Sequence, residues 1–252
     1  MKLVILGSGT STGVPMVGCG CQVCRSTDPR DKRTRASVMV EHNGCFIIVD
    51  TSTDLRQQAL REGIPKVDAV LFTHPHADHV NGIDDLRGFH FIHHRVVPCY
   101  GDEPTIAAIT DRFPYIFRGR EVEEYAPLME AHVISGPFSL FGCPIVPVPL
   151  HHGRHPATGY RFGNAAYLTD CSSIPDSSLT LLAGIEVLII DALRYTPHEN
   201  HFNIPSVLEA VAAINPDRAI LTHLTHEVPH SDNSRLPPGV ELAYDGMVIG
   251  ID

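Results

Sequence analysis

The sequence predicts a layered α/β fold in which two β-sheets pack face to face and helices cover their outer surfaces. Three observations predict it. Short apolar, β-branched runs recur in both halves of the chain and end in polar or glycine-rich punctuation, the pattern of strands. Segments with helical periodicity lie between and after those runs. The chain has 252 residues, enough for one layered domain with a sizeable core. No fixed-period repeat or low-complexity tract interrupts it, so residues 1–252 are expected to form a single domain.

The expected strands are Leu3–Leu6, Ser37–Val40, Phe46–Val49, Ala69–Phe72, Ile145–Val148, Ala166–Leu168, Val187–Ile190, Ala219–Leu221 and Met247–Ile249. Helices are expected over Asp54–Arg61, where Leu55 and Ala59 share a face, and over Thr105–Arg112 and Ser177–Leu182. A fourth is expected over Pro205–Ile214, where Val207, Leu208 and Val211 recur. Asn203 is its expected N-cap, with Pro205 in the first turn, where a missing N–H costs nothing. Residues 87–129 are the least regular stretch and read as a variable insertion or lid.

Composition narrows the function. Hydrophobic content of 43% and charged content of 19% are those of an ordinary globular protein. The 19 Lys and Arg against 29 Asp and Glu give a net charge of −10, which disfavours a duplex nucleic-acid binder. Met1-Lys2 leads into only four apolar residues, Leu3–Leu6, too few for a secretory signal, and the longest apolar runs are strand-sized. A cytoplasmic location with no membrane span is therefore expected, with the seven cysteines reduced or metal-bound. Sixteen histidines are far more than a hydrophobic core requires.

Four ligand-type side chains, His74, His76, Asp78 and His79, occupy six positions directly after the strand ending at Phe72. In an extended segment His74 and His76 point the same way, because the side-chain period is two. A turn then swings Asp78 and His79 to face the same volume, so that two metals a few ångströms apart could be held. The competing reading is a polar loop with histidines placed by chance. Further candidates stand at later strand ends: His151 or His152, Asp170 and His223.

A second constellation is Cys19, Cys21 and Cys24, in a loop over residues 18–24 whose glycines allow tight wrapping. Zinc prefers four tetrahedral soft ligands, and His226, three residues after His223, is the expected fourth. Cys21-x-x-Cys24 alone would also fit reduced thiols or a redox pair. Cys45, Cys99, Cys143 and Cys171 lack ligand spacing and read as packing residues.

The pattern His74-x-His76-x-Asp78-His79 resembles the signature of the metallo-β-lactamase superfamily. That resemblance implies the αββα sandwich and a dinuclear site. It assigns His74, His76 and His152 to one metal, Asp78, His79 and His223 to the other, and Asp170 to both. His152 is preferred over His151 because the family's ligand precedes a small residue, here Gly153. Asp50 looks like the family aspartate that orients the ligand loop without ligating.

The opening Gly7-Ser8-Gly9-Thr10, then Gly13-Val14-Pro15 and the cysteine loop, narrow the likeness. Together with Asn200-His201, Leu221–His226 and the closing Tyr244–Gly250, they resemble the phosphoribosyl 1,2-cyclic phosphate phosphodiesterase family of phosphonate degradation, across nearly the whole chain. The resemblance implies two divalent metals (manganese preferred, zinc or iron acceptable), one structural zinc and a homodimer. It also implies hydrolysis of a small or cyclic phosphodiester, a cyclic ribose phosphate or nucleotide-like compound, by a hydroxide bridging two metals. His201 would protonate the leaving group. Phe89–Arg95, in the divergent segment, is a candidate rim of the substrate pocket, and His90, His93, His94, His151 and His155 are candidate lining residues. The alternatives are an RNA-processing ribonuclease of the same superfamily and a non-catalytic metal- or nucleotide-binding protein.

Overall fold

The computed structural model describes residues 1–118 and 128–251. Two seven-stranded sheets lie face to face. The first runs, in spatial order, β14 (Val248–Gly250), β1 (Lys2–Gly7), β2 (Ser37–His42), β3 (Cys45–Val49), β4 (Ala69–Leu71), β5 (Val97–Gly101) and β6 (Met129–Val133). The second runs β13 (Val240–Leu242), β12 (Arg218–Thr222), β11 (Val187–Asp191), β10 (Ala165–Leu168), β9 (His155–Phe162), β8 (Cys143–His152) and β7 (Phe138–Leu140). Strands β3 to β6 are mutually parallel, as are β10 to β13, and the remaining pairs are antiparallel.

Alternation along each strand builds three apolar layers. Leu3, Ile5, Val38, Val40, Ile47 and Val49 face Ile145, Tyr160, Phe162, Tyr167, Ile189 and Ile220 between the sheets. The intervening Val4, Leu6, Met39, Ile48 and Val70 turn outward onto helices α1 (Leu55–Glu62), α3 (Leu86–His93) and α4 (Glu103–Arg112). Ala166, Leu168, Leu188, Ile190 and Leu221 turn the other way, onto α6 (Asp176–Leu181) and α7 (Ile204–Ile214). The strands read as unbroken apolar runs because both faces are covered. Each fully buried aliphatic side chain contributes about 1.5–3 kcal/mol.

All nine expected strands and all four expected helices are present, with ends shifted by a few residues. Asn203 caps α7 through a reciprocal box with Ser206. Strands β5, β6, β7, β9 and β13 were not anticipated, nor were α3 and the short helices α2 (Ala77–Val80) and α5 (Pro114–Phe117). Proline and glycine break the sequence pattern there: β9 contains Pro156 and Gly159, and β8 continues through Pro147 and Pro149. Those prolines are tolerated because β7 pairs only with Cys143–Ile145, leaving the rest of β8 an edge on that side.

The reading of residues 87–129 as an irregular insertion is corrected. The segment carries most of α3, then β5, α4 and α5, and β5 is hydrogen-bonded between β4 and β6 inside the first sheet. Residues 119–127 of it lie outside the described residues. Among the described residues no helix is long and apolar enough to cross a membrane.

Candidate active site

One open edge of the sandwich collects the ends of six strands. Asp50 follows β3, His74 follows β4, His152 ends β8, Asp170 follows β10, Asp191 ends β11 and His223 follows β12. Asp50 and His223 leave their strands in the left-handed region, at φ 64° and 59°. Non-glycine residues occupy that region in only a few per cent of cases.

Two groups of ligand atoms form there, each mutually within 4.8 Å: His74, His76, His152 and Asp170, and Asp78, His79, Asp170 and His223. Asp170 belongs to both, and its oxygens divide between them. Oδ2 lies 3.6 Å from His74 Nε2 and 3.9 Å from His152 Nε2. Oδ1 lies 3.4 Å from His79 Nε2 and 3.3 Å from His223 Nε2. Asp78 Oδ2 completes the second group, 3.4 Å from His79 Nε2 and 3.7 Å from His223 Nε2. These separations are too long for good hydrogen bonds, and they suit ligands spread around a common cation at about 2.0–2.2 Å each. Among the described residues the buried Nε2 atoms of His74, His79 and His223 have no hydrogen-bond partner.

Electrostatics supports the fit to a cation. Burial holds His74 well below the usual imidazole range. At His79 burial is outweighed by Asp170, Asp50 and Asp78, which lift it well above that range. Burial is likewise overcome at His223, which Asp170, Asp78 and Asp191 raise to about 9. The buried carboxylates thus demand positive charge, which divalent cations would supply with the imidazoles neutral.

A supporting layer sets ring orientations. Asp50, fully buried, accepts from the Thr73 amide at 2.8 Å, the Thr73 hydroxyl at 2.8 Å and His79 Nδ1 at 2.7 Å. His152 Nδ1 donates to the Asn200 carbonyl at 2.7 Å, which leaves Nε2 unprotonated, 3.3 Å from His76 Nδ1. A side chain at Gly153 would overlap Asn200, and φ there is +62°, so glycine permits the close approach. His151 stays outside both groups, which favours the choice of His152. His201 joins a further group with Asp170, Asp191 and His223. Its ring centroid lies 4.8 Å from that of His152 and 4.9 Å from that of His223.

The cysteine loop brings its three thiols to His226. Sγ of Cys19, Cys21 and Cys24 lie 3.2, 3.5 and 3.4 Å from His226 Nδ1. Tetrahedral zinc with its usual bond lengths places S and N about 3.6 Å apart. The Cys24 amide beside the Cys21 sulfur lowers that thiol to about 6, while burial pushes the Cys24 thiol up to about 11. The buried Arg33 donates Nη1 to the carbonyls of Thr225 and Val228, at 3.1 and 2.8 Å, and so clamps the His226 segment. Of the other cysteines, Cys99, Cys143 and Cys171 are buried and Cys45 is partly exposed.

Two expectations fail. Phe89 and Phe91 do not rim this site; with Leu55, Leu60, Ile64 and Ile92 they line a groove of about 560 Å³ between α1 and α3. His90 and His93 cap the carbonyls of Arg95 and Pro65, which precede β5 and β4, whereas the site follows the other end of β4. The parallel register of β4 and β5 therefore carries the end of α3 to the opposite edge. Conversely, Asp191 was missed. Its signal was present: like Asp50, it closes an apolar run, Val187–Ile190.

A paired His/Asp cluster at the open edge of an αββα sandwich defines the metallo-β-lactamase class of metal-binding proteins. Residues 46–224 match the family described as "Beta-lactamase superfamily domain". The chain belongs to that superfamily and, within it, to the PhnP family. It is 42% identical to a protein whose crystal structure is described as a new diphosphatase from the PhnP family, with TM-score 0.92, covering 100% of this chain and 98% of that one. Zn(2+)-bound PqqB from Methylobacterium extorquens, at 19% identity, TM-score 0.83 and full coverage of both chains, shares the fold. Human tRNase Z, short form, does so at 18%, TM-score 0.72 and full coverage of both. A Porphyromonas gingivalis protein named octanoyltransferase is 40% identical over 258 residues, covering 100% of this chain. The chain spans 52% of the length of that relative, and 34% of a PQQ synthesis protein B from Methylorubrum populi that is 39% identical over 101 residues.

Proposed function

We propose that this protein is a metal-dependent hydrolase of a small or cyclic phosphodiester. The observation that carries the reading is the division of Asp170 between two groups of imidazoles, Oδ2 toward His74 and His152 and Oδ1 toward His79 and His223. His74, His76 and His152 would hold one divalent ion, Asp78, His79 and His223 the second, and Asp170 both. Two such ions supply Lewis acidity, lowering the pKa of water and neutralising charge on phosphoryl oxygens. The chain's own residues supply the remainder. Asp50 and Asn200 hold His79 and His152 with Nε2 turned inward. His201, whose ring centroid lies 4.8 Å from that of His152 and 4.9 Å from that of His223, would protonate a departing alkoxide.

Phosphorus chemistry is favoured by the relative named as a diphosphatase, which aligns along almost its entire length. The octanoyltransferase name gives acyl transfer little support, because 48% of that relative lies outside the match. Manganese, zinc or iron suits the His/Asp set, and Cys19, Cys21, Cys24 and His226 suit one structural zinc. The homodimer is a reading from the family resemblance, and a monomeric mass by light scattering would remove it; the cytoplasmic location is a reading from the short apolar run Leu3–Leu6 and the strand-sized apolar stretches.

The test is turnover of bis(p-nitrophenyl) phosphate by the metal-loaded protein. Asp78→Ala or His79→Ala is expected to abolish it, and near-wild-type activity in either would sink the ligand assignment. Metal analysis of purified protein is expected to return about three ions per chain, two bound by His/Asp and one by the cysteine loop. A single ion would favour a binding protein instead.

A further inference from the structure

His201 has a partner that the ligand scheme does not use. Asp191 is fully buried at the end of β11. Its Oδ2 accepts from the Cys171 amide at 2.9 Å and from His201 Nδ1 at 2.7 Å. Among the described residues its Oδ1 has no hydrogen-bond partner, and it faces His223 Nδ1 at 3.8 Å, beyond bonding distance. The two distances decide which neighbour it serves: the short contact is to His201.

We propose that Asp191 is the positioning residue of the leaving-group acid. It holds the His201 proton on Nδ1 and aims Nε2 between the two ligand groups. This rests on the phosphodiesterase reading. A carboxylate on one imidazole nitrogen determines the tautomer and direction of the other, the arrangement that acyl-transfer triads use for a base. Cys171 ties Asp191 to the strand end that carries Asp170, so acid and ligands share one rigid frame.

In the reaction a water oxygen bonds to phosphorus as the bond to the leaving oxygen breaks. The leaving oxygen takes the electron pair and a proton from His201 Nε2. His201 keeps its Nδ1 proton on Asp191, and the proton released by the attacking water recharges the imidazole.

The test compares two diesters that differ in how much the leaving group needs a proton. Phenolate is the more basic leaving group, so diphenyl phosphate depends on the acid, and bis(p-nitrophenyl) phosphate depends on it less. Asp191→Asn keeps the volume and, with its oxygen at the Oδ2 position, an acceptor for both the Cys171 amide and His201 Nδ1, and it removes the negative charge behind the His201 imidazolium. Its kcat on diphenyl phosphate is expected to fall about 10–100-fold, the usual range for altering a supporting partner. On bis(p-nitrophenyl) phosphate the fall is expected to stay under about 3-fold, because little acid assistance is lost there. Metal stoichiometry should not change. Adding Asp191→Asn to His201→Ala should alter diphenyl phosphate turnover by less than about 2-fold, since both changes remove one function. Asp191→Glu keeps the charge but displaces it by one methylene; it should show the same selective loss and serves if Asp191→Asn does not fold.

Equal losses on both diesters, unchanged turnover of both, or loss of one bound metal ion would each overturn the proposal. If wild-type protein turned over neither diester, the phosphodiesterase reading would fall and this inference with it. If wild type turned over both, a failure in Asp191→Asn would count against Asp191 alone.

Discussion

Asp50→Asn isolates the layer behind the metal ligands. The substitution keeps the shape and removes one acceptor oxygen and the charge. In the native protein Oδ1 accepts from the Thr73 amide, and Oδ2 accepts from the Thr73 hydroxyl and His79 Nδ1, all at 2.7–2.8 Å inside a fully buried pocket. The new NH₂ must replace one of these oxygens. At the Oδ1 position it meets the Thr73 N–H, donor against donor, and leaves a buried amide unsatisfied at a cost of about 1–3 kcal/mol. At the Oδ2 position it faces His79 Nδ1 and drives the imidazole proton to Nε2, the atom that must ligate. Either outcome weakens the same site. Loss of such an orienting partner costs about 10–100-fold in metal affinity. That range equals about 1.4–2.7 kcal/mol at 1.36 kcal/mol per decade, comparable to the unsatisfied-donor cost, so the two routes are close competitors. The assay is competitive chelator titration with elemental analysis, alongside thermal melting. Ions should leave the His/Asp site at lower chelator concentration, while the cysteine-bound ion, held by residues that do not touch Asp50, stays. Wild-type affinity together with an unchanged melting temperature would refute the orienting role.

Two further outcomes follow from the same geometry. Cys24→Ser should remove the chelator-resistant ion and lower the melting temperature, because Cys24 is buried in the small apolar cluster of Val14 and Val23 as well as ligand-spaced; retention of that ion would exclude the four-ligand site. Phe91→Ser with Ile92→Ser, on the exposed face of α3, should leave kcat and KM on bis(p-nitrophenyl) phosphate within about 2-fold, as surface changes far from a site usually do. A large KM increase would return α3 to the substrate pocket.

Relatives and chemistry were legible to different depths. The cluster at His74–His79 could be read because ligand spacing is local: period two along an extended segment, then one turn, needs no tertiary knowledge. The cysteine loop is local for the same reason, and His226 lies three residues from another ligand-type histidine. Nine strands were visible as continuous apolar runs because both faces of each sheet are covered. Strands such as β5 and β9, broken by Pro98, Pro156 and Gly159, were invisible to that test, since their pairing is decided by neighbours distant in sequence.

The amino-acid sequence by itself determined the layered class and offered the ligand-type side chains of both candidate sites, while the family resemblance singled out His201 as the proton-donor candidate. Only the tertiary structure decided that Phe89–Arg95 lies away from the site, that Asp170 splits its oxygens between two groups, and that Asp191 stands behind His201. The physical reason is strand order. Asp50, Asp170 and Asp191 each look like an aspartate ending an apolar run, and what each one touches depends on which strands the sheets bring alongside it.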